Sequence, residues 1–418
     1  MARIVITTFG SFGDVNPYIG LGLELKRRGH QPVLAMPGVF REAVEREGLP
    51  LAAVRPEIDT NDTGLISRIM DPAKGAEAIF AELLIPSLQA TYDDLLAVAA
   101  DADAIVTHPA SVAGPIVAQV RRMPWASSVL APLSFFSVFD PVVPPPAPWL
   151  HPLMMRSRAL SRGFLWLSER VTRRWVGPVT KFRASVGLPP GLNPVLAGQH
   201  SPQLVLALFS RVLGDPQPDW PANTVLAGPI LFNGAATLEV SEEIERFLQA
   251  GSPPIVFTLG TSAVETAGSF YEVSAEAARR LSRRAVLLVG RHPRNRPRTA
   301  DPNVLSVEYA PHAALFPRAA AIVHQGGAGT LHQALASGRP TVVVPHAHDQ
   351  PDNAMRVARL GMSRTVFPQR YTPSAVHRAL AELLGDPECE RRAREIAGVV
   401  TAERGAWRAA DALESLLR

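Results

Sequence analysis

The stretch Ala319-Ala320-Ala321-Ile322-Val323-His324-Gln325-Gly326-Gly327-Ala328-Gly329-Thr330 runs from an apolar strand into a glycine-rich turn. A helix over 329–337 follows. Strand, glycine turn and helix in that order form one βα unit of a parallel sheet. Glycines at such a turn let backbone amides approach an anion closely. The helix N-terminus adds about half a positive charge there. His324 brings a further hydrogen-bond donor and Thr330 a hydroxyl. The turn therefore predicts a diphosphate cradle built without lysine or metal.

The alternation extends outward from this turn. Strands are predicted at 255–259, 285–289 and 341–345, with helices at 271–280 and 351–360. The first 130 residues repeat the pattern, with strands at 3–9, 31–36, 104–107 and 125–131. A helix over 17–28 takes Asn16 as its N-cap and Pro17 as its first residue, and Gly29 ends it. Helices over 40–47 and 112–121 complete this half. The expected fold is α/β, with two Rossmann-like doubly wound domains facing across a cleft. The boundaries read as 1–228, an interdomain linker at 229–252, a second domain at 253–401, and a C-terminal helix at 402–418 packing back toward the first domain.

Composition narrows the function. Length alone gives two or three domains at ~150 residues each. Hydrophobic residues make up 47% and charged residues 19%, a globular balance. Lysine occurs only at Lys26, Lys74 and Lys181, so arginine supplies nearly all the positive charge, and the net charge is +4. No basic block interleaved with aromatics is present, which argues against a nucleic-acid partner. No GxxxxGKS/T exists, so there is no P-loop. Cys389 stands alone, which excludes an intrachain disulfide and a cysteine metal cluster. No apolar run reaches the ~18 residues of a membrane span. The N-terminus reads as a buried strand rather than a leader, so a cytoplasmic protein is expected.

Two other loops carry chemistry. Pro345-His346-Ala347-His348-Asp349-Gln350-Pro351 follows a strand, at the sheet edge where open α/β folds bind ligands. Asp349 and Gln350 suit sugar hydroxyls. The bland reading is that Asp349 caps the helix at Pro351, and a metal site of His346, His348 and Asp349 is the weaker alternative. Phe9-Gly10-Ser11-Phe12-Gly13-Asp14-Val15-Asn16-Pro17 is not GxGxxG. No acid ends the second strand, at Met36-Pro37, where a dinucleotide ribose needs one. With Asn16 as the cap, Asp14 is free to act as a catalytic base; otherwise it stabilises the loop.

Residues 132–180 differ from the rest. Pro141, Pro144, Pro145, Pro146 and Pro148 precede a helical segment mixing Leu, Phe and Trp with Arg156, Arg158, Arg162, Arg170, Arg173 and Arg174. It reads as a surface helical hairpin with its arginines in water, or as an acceptor-binding or membrane-surface element touching the inner membrane face. Phe135, Phe136, Phe139, Trp149, Phe164 and Trp166 suggest an apolar or aromatic acceptor; the bland reading is that several of them are simply core.

His324-x-Gly-Gly-x-Gly-Thr330, Ala334-Leu335-x-x-Gly338-x-Pro340, Pro345, Asp349-Gln350 and Asn353 resemble the family 1 glycosyltransferases of the GT-B fold. Tyr309-Ala310-Pro311-His312 and Gly13-Asp14-Val15-x-Pro17 fit the same likeness, closest to bacterial rhamnosyltransferases and macrolide and sterol glycosyltransferases. The resemblance implies an inverting transfer of a sugar from a UDP- or TDP-sugar to a hydroxyl of an apolar small molecule. It implies Asp14 as base and no metal or other cofactor. His324, Gly327, Ala328, Gly329 and Thr330 would hold the diphosphate, helped by Thr261 and Ser262. Asp349 and Gln350 would hold the sugar, with Tyr309 and Ala310 beside the base. The family's tryptophan is absent, and Tyr309 stands near its place. His108 would meet the acceptor or Asp14. A sugar-nucleotide epimerase and a non-catalytic glycosyltransferase partner are the competing readings.

Overall fold

The computed structural model describes residues 1–58, 62–232, 234 and 239–418. The chain divides into two compact units. The first holds Met1–Asp62, Ala73–Phe232 and Glu403–Arg418; the second holds Thr63–Pro72 and Asn233–Ala402.

Seven strands form the sheet of the first unit: β1 (Arg3–Thr7), β2 (Gln31–Met36), β3 (Leu51–Ala53), β4 (Ala104–Thr107), β5 (Trp125–Val129), β6 (Leu204–Ala207) and β7 (Thr224–Leu226). Their order is β3-β2-β1-β4-β5-β6-β7, and every pair is parallel. Helices cover both faces, which is why Ile4, Val5, Ile6, Ile105 and Val106 are fully buried in unbroken apolar runs. The second unit has β8 (Ile255–Thr258), β9 (Ala285–Leu288), β10 (Val304–Val307), β11 (Ala321–His324), β12 (Thr341–Val343) and β13 (Ser363–Thr365). Their order is β10-β9-β8-β11-β12-β13, again all parallel. Both units are therefore doubly wound. Strand order reverses between β1 and β4 in one sheet and between β8 and β11 in the other. Loops leaving such a pair diverge and open a crevice at the C-terminal strand edge.

Several boundaries differ from the sequence expectation. The first helix spans Phe12–Arg27, not 17–28, and Ser11 caps it instead of Asn16. Pro17 lies inside the helix. The glycine-loop helix spans Ala328–Ala336. Thr63–Ile69 is a helix of the second unit, although these residues fall within the 1–228 stretch. Ile66 and Met70 pack there against a core containing Val264, Phe270 and Tyr271. Within 229–252, residues 233 and 235–238 lie outside the described residues. The helix Glu242–Gln249 is built into the second unit through Ile244 and Leu248.

The segment read as a hairpin is a short helix, His151–Arg156, followed by one long helix, Arg158–Ser185. Ser157 caps the long helix through Leu160 N. Its inner face carries Ser161, Thr172, Val176, Val179 and Arg183. At the other end of the chain, the helix Gly405–Leu416 packs on Phe12–Arg27. Arg28 Nη1 donates to Asp411 at 2.5 Å and to Glu414 at 3.1 Å.

Candidate active site

The two crevices each gather residues singled out from the sequence. In the first unit, Asp14 follows β1 and His108 follows β4. Asp14 is not free of capping duty. Ser11 N–H donates to its Oδ2 at 2.8 Å, and the Ser11 side chain accepts from Gly13 N. This is a capping box, with aspartate in the place usually held by glutamate. The Ser11-x-x-Asp14 spacing was the signal that gives the true helix start. The box uses one oxygen. Oδ1 faces His108 Nε2 at 3.9 Å, and the Asp14 side chain is 35% exposed. His108 Nδ1 accepts from Ala110 N at 3.2 Å, so the neutral ring carries its proton on Nε2, toward Asp14. Burial lowers the His108 pKa and the Asp14 carboxylate opposes that shift. Tyr18 packs edge-on against the His108 ring, with its hydroxyl 2.7 Å from Ser128 Oγ.

In the second unit, Gly260-Thr261-Ser262 follows β8 and the glycine loop follows β11. Gly326 has φ +88°, and a Cβ there would meet Val343 at 2.7 Å, so only glycine fits. The helix Ala328–Ala336 starts at Gly327 with no side-chain cap. Its first amides therefore point outward without a side-chain acceptor. His324 is fully buried, and its Nδ1 accepts from Gly326 N at 3.1 Å. Its proton accordingly sits on Nε2, which is buried and has no partner among the described residues. Burial, with His312 nearby, pushes its pKa down to about 3, so it is a neutral donor.

Gln325 went unnoticed in the sequence. Its Nε2 donates to Thr330 Oγ1 at 3.3 Å, and its Oε1 is buried without a partner. A Cβ at Gly260 would overlap the Gln325 amide nitrogen. The amide thus lies in the crevice between Gly260 and the first turn of the helix. A polar side chain between His324 and the paired glycines was the available clue. Thr330 is buried, Gly327, Ala328 and Gly329 are half-buried, and Thr261 is exposed.

The loop after β12 is tied to the glycine loop. Asn353 Nδ2 donates to Gly326 O at 2.9 Å and to Asp349 Oδ2 at 2.7 Å. Asp349 stands at the N-cap position yet makes no capping bond. Gln350 is turned inward: its Oε1 accepts from His346 N at 2.8 Å and Ala347 N at 3.2 Å. Only its amide nitrogen remains for a sugar hydroxyl. Ala310 is buried in a core with Leu315 and Phe316, so it can offer a ligand backbone only. Tyr309 is 59% exposed, and its ring lies 6.4 Å from that of His312.

The aromatic residues proposed for the acceptor separate. Phe135 is core, stacked on Trp220 at 4.1 Å and packed against Phe209. The sequence leaves core and acceptor contact equally open here, because the proline-rich stretch has no period. Phe136 and Phe139 are half-buried, and Arg158 lies 4.4 Å over the Phe139 ring. Trp149 is 70% exposed. Among the described residues, no three of His, Cys, Asp or Glu are grouped for a metal.

Buried histidines give the second unit a pH signature. His324 falls to about 3 and His332 to about 4, both through burial. Below the ordinary histidine value of ~6.5 the unfolded chain takes up protons that the native rings refuse. Stability is therefore present above pH 6.5 and is lost as pH falls toward 4. Each ring contributes about 1.4 kcal/mol per pH unit in that window. Calorimetric unfolding at pH 7, 6 and 5 is expected to show a falling midpoint; a flat midpoint would contradict the neutral rings.

Comparison with known proteins places this chain among the glycosyltransferases. Residues 4–118 match the glycosyltransferase family 28 N-terminal domain. Residues 275–415 match the C-terminal domain of erythromycin biosynthesis protein CIII-like proteins. The O-mycaminosyltylonolide 6-deoxyallosyltransferase of Streptomyces fradiae is 32% identical over 415 residues, 96% of this chain and 94% of that protein. The chain belongs to the family 1 glycosyltransferases of the GT-B fold. Among solved structures, the glycosyltransferase of kitacinnamycin superposes with a TM-score of 0.76 at 21% identity, covering 100% of this chain and 99% of that one. SsfS6 of Streptomyces sp. SF2575, complexed with thymidine diphosphate, gives 0.66 at 20% identity, covering 99% and 100%.

Proposed function

We propose that this glycosyltransferase moves a sugar from a nucleotide diphosphate sugar to a hydroxyl of an apolar natural product, with inversion. One observation carries the donor half of this reading. A buried Nε2–H of His324, the Gln325 amide, the Thr330 hydroxyl and an uncapped helix start converge on one crevice beside Gly260. So many donors with so few acceptors suit an anion. In this reading the diphosphate accepts from the Gln325 amide along with the other donors. The charge that grows on the leaving diphosphate meets these donors, so no metal is required. Asp349, fixed by Asn353, and the Gln350 amide take sugar hydroxyls.

Asp14 accepts the proton of the acceptor hydroxyl as that oxygen attacks the anomeric carbon. The bond to the diphosphate breaks in the same displacement, which inverts the carbon. His108 is a poorer base: its Nδ1 is engaged by Ala110 N, and its Nε2 already carries the proton. It orients the Asp14 carboxylate instead.

A deoxysugar relative and a neighbour holding thymidine diphosphate make TDP-deoxysugars the first donors to test, with UDP-sugars beside them. Incubation with donor and a macrolide aglycone should yield the glycoside, undiminished by a chelator. Epimerised donor in the absence of acceptor would favour the epimerase reading, and chelator-sensitive turnover would reject the metal-free one.

A further inference from the structure

The helices His151–Arg156 and Arg158–Ser185 present an outer face that the transfer reaction does not use. Trp149, Leu153, Met155, Leu160, Trp166, Leu167 and Val171 are each 43–70% exposed. They are half of the 14 large hydrophobics exposed among the described residues, gathered into 23 positions. Scattered exposed apolar residues are ordinary; a cluster of this kind marks an interaction surface.

Helical spacing places them together. Leu160, Leu167, Val171 and Arg174 follow one row at seven-, four- and three-residue steps. Arg162, Trp166, Arg170 and Arg173 follow the adjacent row. Both rows lie away from the buried face of Ser161, Thr172, Val176 and Val179. Arginine dominates the charge of this surface, although Glu77 lines a cavity beside Val171 and Arg174. Glu169 is the only acid between 149 and 185, and it pairs with Arg173 at 3.6 Å. Among the described residues, Arg156, Arg162, Arg170 and Arg174 have no carboxylate partner.

We propose that this face docks on an anionic lipid surface. A second copy of the chain would set arginine against arginine, which the charge disfavours. A purely apolar partner would leave the guanidinium groups unpaired. A membrane interface accommodates both features. Trp and Leu enter the boundary between headgroups and acyl chains, while arginine stems lie along it with their heads among phosphates. Such docking would bring the enzyme to acceptors that partition into the bilayer.

The test is co-sedimentation of the full chain with phosphatidylcholine vesicles, with and without phosphatidylglycerol. Binding is expected only to the anionic vesicles, and high salt should release it. The double variant Arg170→Glu/Arg174→Glu should lower the partition coefficient by about tenfold or more. Leu167→Ser/Val171→Ser should lower it as well. All four side chains are exposed, so unfolding midpoints should stay unchanged in these variants. Absence of binding to anionic vesicles at low salt overturns the proposal. So does equal binding to both vesicles, or binding that the variants leave intact. A pull-down in which an acidic protein, but no vesicle, is retained by this face would also overturn it.

Discussion

Asp14→Asn is expected to slow sugar transfer by about 10²–10⁴-fold, the range that a positioned general base supplies. Nucleotide affinity should be untouched, because the diphosphate crevice belongs to the second unit's own loops. Asparagine keeps a carbonyl oxygen for Ser11 N–H, so the capping box survives and the fold should not suffer. Asp14→Ala, by contrast, removes the cap as well, at about 1 kcal/mol. Comparing the two separates chemistry from capping. Initial rates and calorimetric nucleotide binding measure both effects. Wild-type turnover in Asp14→Asn would end its assignment as base.

His324→Ala is expected to weaken nucleoside diphosphate binding by about 10–100-fold, as loss of a hydrogen bond to a charged group costs roughly 1.5–3 kcal/mol. The ring also anchors Gly326 N, so some of the loss will come from a looser loop. Gln325→Glu isolates the anion effect. It keeps the shape of the side chain and places a carboxylate where the phosphate must go, so it should weaken binding at least as much. Titration calorimetry with thymidine and uridine diphosphates reads both variants. Undiminished affinity in both would remove the phosphate role from this crevice.

Much of the architecture was legible because parallel strands buried on two faces cannot hide. Runs such as Ile4-Val5-Ile6 and Ile255-Val256-Phe257 admit little else. The glycine loop was legible for a similar reason: Gly326 sits where no other residue fits. Errors arose where two local rules competed. Pro17 behind Asn16 imitates a helix start, while the real start is the less conspicuous capping box of Ser11 and Asp14. Asp14 was then judged free, although one of its oxygens is occupied. Core and acceptor contact stay undivided at Phe135 in the sequence for a different reason. Its stacking on Trp220 joins positions far apart in sequence, and no local pattern encodes that meeting.

The C-terminal helix has a consequence for how the chain is made. Its Arg28 contacts join a helix translated after the whole second unit to one translated before it. Gly228 and Gly405 tighten the junction: a Cβ at Gly228 would meet Glu403 at 2.6 Å, and one at Gly405 would overlap the Pro229 carbonyl. The first unit therefore cannot be completed until residues 403–418 are made, whereas the second has all its residues by Ala402. Until then, the part of Phe12–Arg27 that packs on the helix Gly405–Leu416 is uncovered. Translation arrested at Ala402 should thus yield a chain whose second unit is finished and whose first is not.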